Sequence, residues 1–426
     1  MGTTILGSGI AGISAGHHLQ KAGEKIIIYE KSNDWGGLCG NFTINGFRFD
    51  KFVHFTFTED PYIKEIFEKS SSLYEHPAIS SNYYNGYWLK HPAQNNLAPL
   101  PAEDKVKIIS DFVKRPQKEI SDIENYEQWL RVQYGNYFAE KFPFKYTRKY
   151  WGIEPNKLET KWIGNRMHSP TLEEVLKGSY KQQDENFYYT KYMRYPKKGG
   201  FRSILNDCRK NLDIRFNKEV IEIDTTNKII TFKDKTKVEY KRLVSSIPLP
   251  EIVKIIKDCP QNVREAGYYL RNTCGYMVSL GFRRPDIAKH LWFYVYDKDI
   301  LPSRVYSPSL KSPDNVPEGC SSLQAEIFFD CKAEIPPKEE VLTNTIQKLI
   351  NMGLFEEKDI IVKDIRFEKY ANVTFDKNIY INREIVLEYL KNIGIESIGR
   401  FGKWEYMWTH QVFQSGMEVA KCSLYN

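Results

Sequence analysis

The 426-residue sequence lacks the features that mark several common classes of protein. Its seven cysteines are scattered without a Cys-x-x-Cys pair, which argues against a disulfide framework and predicts reduced thiols. No apolar run approaches the roughly 18 residues that a membrane-spanning helix needs, and no leader-like segment stands before the first predicted strand. From these absences we expect a soluble, cytoplasmic protein.

Catalytic and metal-binding constellations of the familiar kinds are also missing. The eight histidines show no metal-ligand spacing, and no Ser/His/Asp or Cys/His set is visible, so we predict no metal site. The net charge of +7 is too diffuse to predict a nucleic-acid partner, although it suits an anionic small substrate. The sequence has no internal repeat, and it leaves the oligomeric state open, a homodimer included.

The N-terminal segment carries a complete dinucleotide-binding pattern. Residues 3–6 predict a buried strand, and residues 7–16 read GSGIAGISAG. Residues 10–22 predict a helix closed by Gly23, and residues 25–29 predict a second strand. A strand, a glycine turn, a helix and a strand in this order predict a nucleotide site at the N-terminus of the helix.

Three glycines and one acidic residue in this pattern have predicted roles in nucleotide binding. Gly7 makes the tight turn, Gly9 lets the backbone approach a pyrophosphate, and Gly12 allows close packing of helix on strand. Glu30 ends the second strand, where a carboxylate can accept hydrogen bonds from ribose hydroxyls.

A second glycine pair decides which nucleotide is predicted. In KSNDWGGLCGNF (residues 31–42), Gly36 and Gly37 follow Glu30 by six residues, as in the flavin-binding branch of the Rossmann group. We therefore predict FAD rather than NAD. The predicted FAD contacts are Gly7, Gly9, Gly12, Glu30, Lys31, Gly36, Gly37, Leu38, Gly199, Gly200, Val220, Gly399, Arg400, His410 and Gln411.

The rest of the chain changes character twice. Residues 101–150 have helical periodicity, with helices predicted at 102–113, at 125–134 and from Tyr137 onward. Strand patterns return at residues 196–201, 218–224 and 242–249. The runs at residues 275–282, 290–297 and 323–330 alternate like antiparallel strands, and residues 395–420 predict a strand, a loop and a closing helix.

These patterns predict an α/β fold with three parts. A Rossmann-type FAD-binding lobe is assembled from the discontinuous residues 1–80, 190–250 and 385–426. A mainly helical substrate lobe is inserted at residues 81–189, and an antiparallel-sheet substrate lobe covers residues 251–384.

The order of the motifs resembles that of FAD-dependent amine oxidases and protoporphyrinogen oxidases. The closer resemblance is to the UDP-galactopyranose mutase family. Three stretches of this sequence resemble motifs of that family: YTRKYWG at residues 146–152, LPSRVY at 301–306 and GRFGKWEY at 399–406. A fourth stretch, NGYWLKHPAQNNL at residues 85–97, is also similar to a segment of the family.

The resemblance implies roles for particular residues. It implies Tyr146 and Trp151 at the nucleobase, and Arg304 and Tyr406 at the diphosphate, with Arg166 as a second arginine. These types suit the task, because a guanidinium forks onto phosphate oxygens and an indole stacks on a base. Nevertheless, Trp151 also fits a core aromatic at a helix end, and Arg304 fits an ordinary surface arginine.

The implied activity is a pyranose–furanose isomerisation of a nucleotide-diphosphate sugar, a reaction of polysaccharide biosynthesis. In that chemistry N5 of reduced FAD attacks the anomeric carbon while the diphosphate leaves. Arg304, Tyr406 and His54 are the predicted catalytic residues. The amino end of the closing helix, at His410, suits negative charge on the flavin.

Two positions depart from the mutase pattern. In FVHFTFT (residues 52–58), His54 matches the first histidine of the family motif, whereas Phe57 stands where the family has a second. Near the C-terminus, an aspartate of the family gives way to Met407-Trp408. Two alternatives therefore stay open, an FAD-dependent oxidoreductase that transfers hydride from substrate to flavin and a binding protein that holds FAD without turnover. His54 itself fits either a position over the flavin or an aromatic core.

Overall fold

The computed structural model describes residues 2–164 and 166–423. In this part of the chain the strands are β1 (Thr3–Leu6), β2 (Ile26–Tyr29), β3 (Asn41–Ile44), β4 (Phe47–Asp50), β5 (Leu73–Pro77), β6 (Ser81–Tyr84), β7 (Tyr87–Lys90), β8 (Tyr192–Pro196), β9 (Ile214–Arg215), β10 (Val220–Asp224), β11 (Ile229–Phe232), β12 (Lys237–Glu239), β13 (Arg242–Ser245), β14 (Asn272–Phe282), β15 (Trp292–Val295), β16 (Arg304–Tyr306), β17 (Ser321–Asp330), β18 (Ile360–Val373) and β19 (Ile395–Ser397).

The helices are α1 (Ile10–Lys21), α2 (Pro61–Ser70), α3 (Ala102–Val113), α4 (Tyr126–Tyr134), α5 (Asn136–Lys141), α6 (Pro143–Trp151), α7 (Leu172–Tyr180), α8 (Asn206–Arg209), α9 (Leu249–Ile255), α10 (Gln261–Tyr269), α11 (Pro308–Lys311), α12 (Lys338–Asn351), α13 (Ile379–Asn392), α14 (Gly399–Gly402) and α15 (Thr409–Ser423). None of these helices is long and apolar enough to cross a membrane.

A five-stranded parallel sheet forms the nucleotide-binding half. Its strand order is β19-β13-β1-β2-β9, with β1 in the centre between β13 and β2. The central strand is buried over its whole length, as its short apolar run predicts for a parallel sheet covered on both faces. The α/β fold and the discontinuous assembly of this sheet are therefore confirmed, since its strands come from residues 3 to 397.

A seven-stranded sheet forms the second half, in the order β18-β14-β17-β16-β15-β6-β7. Its pairs are antiparallel except for β6 with β15, which run parallel. The predicted helical part, residues 81–189, therefore opens with two strands that extend this sheet before α3 begins. A hairpin of two strands cannot bury its apolar side chains alone, and joining the larger sheet provides that cover.

Helix α6 lies against this sheet and carries the YTRKYWG motif. It begins at Pro143, which suits a first helical position, and it ends at Gly152 in a left-handed conformation (φ +68°). A Cβ added at Gly152 would lie 2.3 Å from the backbone nitrogen of Asp330 at the end of β17. The end of α6 is thus packed directly on the sheet, which fixes the aromatic residues that precede it.

Several local predictions differ from the structure. The strand predicted at residues 242–249 ends at Ser245, and Leu249 begins α9. Residues 196–201 were expected to form a strand, but β8 ends at Pro196 and a tight turn follows. In this turn Gly199 and Gly200 have φ values of +83° and +74°, which a strand does not contain. Helix α1 ends at Lys21, one residue earlier than predicted, and Gly23 (φ +86°) closes it.

Candidate functional site

The first glycine turn places the N-terminus of α1 against the end of β1. Gly7 adopts φ +97°, and a Cβ added at Gly12 would lie 1.9 Å from the carbonyl oxygen of Gly7. Gly9 is the N-cap of α1 and no side chain caps the helix there. Around Gly9 the space is open, since a Cβ added to it would meet only Gly37 Cα at 3.9 Å. The N–H groups of the first turn therefore face room for an anion.

The second glycine pair adjoins the first turn. The backbone N–H of Gly36 donates to the carbonyl of Ser8 at 2.9 Å, and a Cβ added at Gly37 would lie 3.2 Å from Gly9 Cα. Leu38, the next predicted contact, packs against the cluster that contains Phe52 and Phe328. The two glycine motifs, distant in sequence, thus form one backbone surface.

The Glu30 carboxylate is buried and fixes the loops on both sides of it. One oxygen accepts hydrogen bonds from the backbone N–H (2.8 Å) and the hydroxyl (2.9 Å) of Ser8. The other accepts from the backbone N–H (3.0 Å) and the hydroxyl (2.6 Å) of Ser32. Lys31, between them, is exposed, and Val220 starts β10 in a separate three-stranded sheet. Their contact with FAD stays a prediction.

The C-terminal segment closes over the same turn. A Cβ added at Gly399 would lie 2.8 Å from Ala11 Cβ, and the N–H of Gly399 donates to Ser415 Oγ at 2.9 Å. Helix α15 begins ten residues later with its first-turn N–H groups free of intrahelical acceptors. The Gln411 side chain accepts from the backbone N–H of Trp408 at 2.9 Å. The start of α15 is thus a second site of positive potential beside α1.

The glycine turn at Gly199 and Gly200 sits on a buried ion pair. Lys311 and Asp50 are 0% and 2% exposed, and their Nζ and Oδ2 atoms are 2.8 Å apart. Asp50 also accepts from the hydroxyl of Tyr195 at 2.7 Å and from the backbone N–H of Phe201 at 3.0 Å. These bonds fix the residue that follows the glycine pair. Sequence reasoning missed the pair, because neither residue lies in a motif.

His54 lies beside this network, stacked on Phe201 at a centroid distance of 5.2 Å. Burial lowers the pKa of His54 to about 4, so the imidazole is neutral at pH 7. Its Nδ1 is buried without a hydrogen-bond partner among the described residues. A buried ring nitrogen without a partner is costly, so this atom indicates a place where a ligand group belongs.

Two arginines stack on the ring of Tyr406 within a half-buried cleft. The guanidinium carbon of Arg166 lies 4.5 Å from the ring centroid and that of Arg400 lies 4.9 Å from it. Arg166 donates to the carbonyls of Trp162 (2.7 Å) and Tyr406 (3.2 Å), and Arg400 donates to Asn372 Oδ1 at 3.1 Å. The two arginines form no ion pair within residues 2–164 and 166–423.

The Nε atoms of Arg166 and Arg400 are both buried without a hydrogen-bond partner in that part of the chain. Burial lowers the pKa of Arg166, and the positive charge of Arg400 acts in the same direction. Two partly buried cations that repel each other indicate a binding site for an anion.

Arg304 differs from these two, because it already has a carboxylate partner. Its Nε and Nη2 atoms lie 2.7 Å and 2.6 Å from Glu326 Oε2, and the Glu326 side chain is fully buried. The other Glu326 oxygen accepts from the backbone N–H of Val53 at 2.6 Å. Glu326 therefore orients Arg304, whose side chain is 19% exposed. Sequence reasoning missed Glu326, although one carboxylate inside the apolar run LQAEIFFD was a usable signal.

The predicted nucleobase residues occupy different environments. Tyr146 is half-buried and stacks on Tyr150 at 5.5 Å, and burial raises its pKa although Arg304 opposes the rise. Trp151 is only 3% exposed and packs edge-on against Trp162 at 5.2 Å. The structure thus brings Tyr146 close to Arg304. It places the indole of Trp151 in the core, and stacking of a base on that ring stays a prediction.

Phe57 and Trp408, the two departures from the mutase pattern, meet in space. Their centroids are 5.0 Å apart, and Tyr189 contacts both, at 5.3 Å from Phe57 and at 5.1 Å from Trp408. Phe57 also lies 5.4 Å from the ring of His410, whose Nδ1 is buried and unpartnered among the described residues. The cleft therefore has an aromatic side next to the start of α15.

The residues present fit FAD. The two glycine motifs and Gly399 surround the open N-terminus of α1, where a pyrophosphate would bind. The start of α15 and the unpartnered nitrogens of His54 and His410 would face the flavin end. Bound FAD would supply redox or nucleophilic chemistry.

Fold and site together define a dinucleotide-binding flavoprotein. The profile of the family described as flavin containing amine oxidoreductase matches residues 10–380, which is most of the chain. The chain belongs to this family, within a superfamily of flavin-dependent enzymes, and its cofactor is FAD.

Two solved structures share the whole fold. Reduced UDP-galactopyranose mutase matches with a TM-score of 0.92 over 99% of this chain and 95% of that one, at 24% identity. A protein described as a protoporphyrinogen oxidase from an Exiguobacterium species matches with a TM-score of 0.75 over 100% and 99% of the two chains, at 15% identity. At these identities the likeness shows the fold.

Among curated sequences, an inactive all-trans-retinol 13,14-reductase of Danio rerio is 44% identical over 46 residues. That alignment spans 11% of this chain and 8% of the relative, so the chain covers only a small part of that relative's length.

Proposed function

We propose that the protein is an FAD-dependent mutase that interconverts the pyranose and furanose forms of a nucleotide-diphosphate sugar. The observation that carries the proposal is the stacking of Arg166 and Arg400 on one Tyr406 ring. Both have buried, unpartnered Nε atoms and neither has a carboxylate partner in the described part of the chain. A diphosphate is the doubly anionic group that such a pair recognises. The fold shared with a reduced UDP-galactopyranose mutase supports the same interpretation.

The residues of the chain divide the work of this reaction. Arg166 and Arg400 bind the departing diphosphate, a role for Arg400 that replaces the FAD contact predicted for it from the sequence, and the Tyr406 hydroxyl donates a hydrogen bond to the same group. Arg304 is held by Glu326 in one orientation and gives its remaining N–H groups to the same anion. When bound in its reduced form, FAD supplies the nucleophile for the anomeric carbon.

Two groups set the charge around the flavin end. In this scheme the N-terminus of α15 favours negative charge there, because the free N–H groups and the dipole at the start of a helix stabilise an anion. His54 is neutral at pH 7, with a pKa of about 4, so it offers a hydrogen bond but no charge. The helix terminus and the nearby Arg400, rather than an imidazolium, therefore supply positive potential at the flavin end.

The proposal also assigns the parts of the chain. Residues 1–80, 190–250 and 385–426 bind FAD, residues 81–189 and 251–384 form the substrate side, and the furanose product enters polysaccharide biosynthesis in the cytoplasm. Val220, Lys31 and Gln411 are proposed FAD contacts in this scheme.

The test is an isomerisation assay with the purified holoenzyme. The dithionite-reduced holoenzyme is incubated with UDP-galactose and related nucleotide sugars, and the products are separated by chromatography. We expect a furanose isomer in the reduced sample and none in the matched oxidised sample. Protein that retains FAD and forms no isomer from any nucleotide sugar would refute the proposal.

A second candidate is an FAD-dependent oxidoreductase that transfers hydride from its substrate to the flavin. The aromatic side formed by Phe57, Tyr189 and Trp408 favours it, because an apolar substrate would pack there. This function predicts anaerobic bleaching of the oxidised flavin by a substrate such as an amine, with no added reductant. A mutase gives no net redox change, so the two outcomes are distinct.

A further inference from the structure

Asn372, the penultimate residue of β18, lies beside the arginine cluster and is only 4% exposed. Its side-chain oxygen accepts hydrogen bonds from Arg400 Nη2 and from the Tyr150 hydroxyl, both at 3.1 Å. Two donors from separate elements, α14 and α6, therefore share one uncharged acceptor.

Thr273 on β14 fixes which end of the Asn372 amide faces the arginine. The buried hydroxyl oxygen of Thr273 accepts from the backbone N–H of Asn372 at 3.1 Å and from its Nδ2 at 3.3 Å. Because the amide nitrogen is held there, the amide oxygen points to Arg400 and Tyr150. The opposite orientation would turn an N–H group toward a guanidinium, which has no acceptor.

Tyr150 is itself held by its neighbours. Its ring stacks on Tyr146 at 5.5 Å and meets Trp151 and Phe328 edge-on at 5.0 Å and 5.2 Å. Burial raises the pKa of Tyr150 well above its ordinary value, so the hydroxyl keeps its proton and remains a donor. The position of Asn372 Oδ1 is therefore set by both β14 and α6.

The acceptor beside Arg400 differs in charge from the acceptor beside Arg304. Glu326 is a fully buried carboxylate, and its Oε2 lies 2.6 Å from Arg304 Nη2. Asn372 offers Arg400 a hydrogen bond without a charge, and Arg400 has no carboxylate partner in the described part of the chain. An uncharged acceptor restricts the motion of the guanidinium and leaves its positive charge for an anion.

Resting on the proposed function, we infer that Asn372 is a positioning residue for the diphosphate, because it holds Arg400 in one orientation and leaves it charged. Asn372 acts through Arg400 rather than on the substrate. Its contribution to affinity therefore depends on the presence of Arg400, and it concerns the diphosphate rather than the nucleoside.

The first experiment is a double-mutant cycle on the FAD-loaded protein, with Asn372→Leu, Arg400→Met and the double variant. Isothermal titration measures the Kd for UDP. We expect Asn372→Leu to weaken UDP binding about tenfold in the native background, since a hydrogen bond to a charged group is lost. In the Arg400→Met background the same change should weaken binding by less than about twofold.

A second variant, Asn372→Asp, separates positioning from a structural role. The new carboxylate can accept from Arg400 and Tyr150 as the amide does, and the Thr273 hydroxyl can donate to it. It gives Arg400 a permanent counter-ion, however. We expect UDP binding to weaken at least about tenfold and uridine binding, followed by NMR titration, to change less than about twofold. The apparent Tm should stay level or rise.

The matched control is Asn344→Leu on α12. Asn344 also uses both ends of its amide, accepting from the backbone N–H of Leu301 at 3.0 Å and donating to the carbonyl of Asp299 at 3.1 Å. Neither partner belongs to the arginine cluster. This variant should therefore leave the Kd for UDP within about twofold of the native value, even where the apparent Tm falls.

The outcomes separate the inference from the function on which it rests. An unchanged UDP affinity in Asn372→Leu, or an equal loss in both backgrounds of the cycle, would overturn the inference. Matched losses of UDP and uridine binding in Asn372→Asp would overturn it as well. The mutase proposal survives each of these results if the native holoenzyme isomerises a nucleotide sugar. Native holoenzyme that neither binds UDP nor forms an isomer would refute both.

Discussion

At the scale of single residues, the site depends on which charges have partners. Arg304 is held by Glu326, whereas Arg166 and Arg400 contact only neutral groups in the described part of the chain. A cation without a counter-ion in a half-buried cleft destabilises the free protein, and an anionic ligand that pairs with it removes this penalty. The proposed function therefore distinguishes Arg304, which Glu326 positions, from Arg166 and Arg400, which it assigns to an anionic ligand.

Replacing Arg166 tests this difference. Arg166→Lys should weaken UDP binding about tenfold or more, because an ammonium cannot fork onto phosphate oxygens or stack on Tyr406 in the same way. Isothermal titration of the FAD-loaded protein with UDP measures the effect. The control is Arg148→Lys, at a surface arginine paired with Glu154, which should stay within about twofold. Equal losses in both variants would contradict the assignment.

Lys311 allows a stability prediction. Lys311→Met leaves the Asp50 carboxylate buried with no cation beside it, which should destabilise the fold by about 3–5 kcal/mol. The change is measured as a fall in apparent Tm. Adding Asp50→Asn should recover part of it, and Lys363→Met, at an exposed pair with Glu357, should change Tm little. An unchanged Tm in Lys311→Met would show that the pair is not structural.

Some residues of the site could be predicted from the sequence, and others could not. Arg304, Arg400 and Tyr406 lie in motif-like stretches, so each could be proposed from its neighbours along the chain, whereas Arg166 lies outside these stretches and was proposed only as a second arginine implied by the resemblance. Glu326 and the Asp50–Lys311 pair could not, because their importance arises from partners 22 and 261 residues away. A polar residue inside an apolar run is the signal that such a partner exists, although it does not say which one.

At the scale of elements, two glycines of the same motif have different roles: Gly12 allows the helix to pack on the strand, and Gly9 leaves room for a ligand. Gly12 is required for packing, since its Cβ would overlap the Gly7 carbonyl oxygen at 1.9 Å. Gly9 has an ordinary extended conformation (φ −69°, ψ 179°) and open space around it. An alanine at Gly9 therefore fits the protein and obstructs only what binds there.

This contrast gives a paired prediction. Gly9→Ala should fold normally by circular dichroism and bind FAD about tenfold or more weakly, because the methyl group stands between backbone and pyrophosphate. Gly12→Ala should lose soluble yield, because helix and strand cannot approach. Absorbance at the flavin band after gel filtration reports bound cofactor. Full FAD retention by Gly9→Ala would place the pyrophosphate elsewhere.

Elements with strong local signals were predicted well. Helix α3 (Ala102–Val113) has the predicted bounds, and the strand, turn and helix at the N-terminus follow the pattern of the sequence. The parallel pairing of β6 with β15 could not be predicted, because it joins residues more than 200 positions apart. The prediction of a strand at residues 196–201 is wrong, because Gly199 and Gly200 adopt positive φ angles that form a turn. The strand-like residues around these glycines do not reveal that conformation.

At the scale of the whole molecule, buried histidines predict how stability depends on pH. Burial lowers the pKa of His54 to about 4 and that of His91 to about 3, from an ordinary value of 6.5. Between these values the unfolded chain binds protons that the folded chain does not. The stability that neutral histidines allow is therefore fully present above pH 6.5 and is lost progressively toward pH 4.

The pH dependence of the free energy of unfolding can be measured and assigned to particular histidines. Each such histidine should lower the free energy of unfolding by up to about 1.4 kcal/mol per pH unit in this window. We expect the apparent Tm to fall between pH 7 and pH 5, and to fall less steeply in the double variant His54→Gln, His91→Gln. Parallel curves for the two proteins would show that other groups, such as carboxylates, set the slope.

The interleaved sheet order β19-β13-β1-β2-β9 bears on how the protein is made in the cell. A ribosome that has released β1 and β2 has not yet produced β19, nor the helix α15 whose Gly416 would bring a Cβ within 2.3 Å of the Ala11 carbonyl oxygen. The nucleotide-binding sheet of the nascent chain therefore stays incomplete until β19 and α15 have been synthesised. Flavin uptake should accordingly follow the synthesis of β19 and α15, and chaperones that shield apolar strand edges can act before that point.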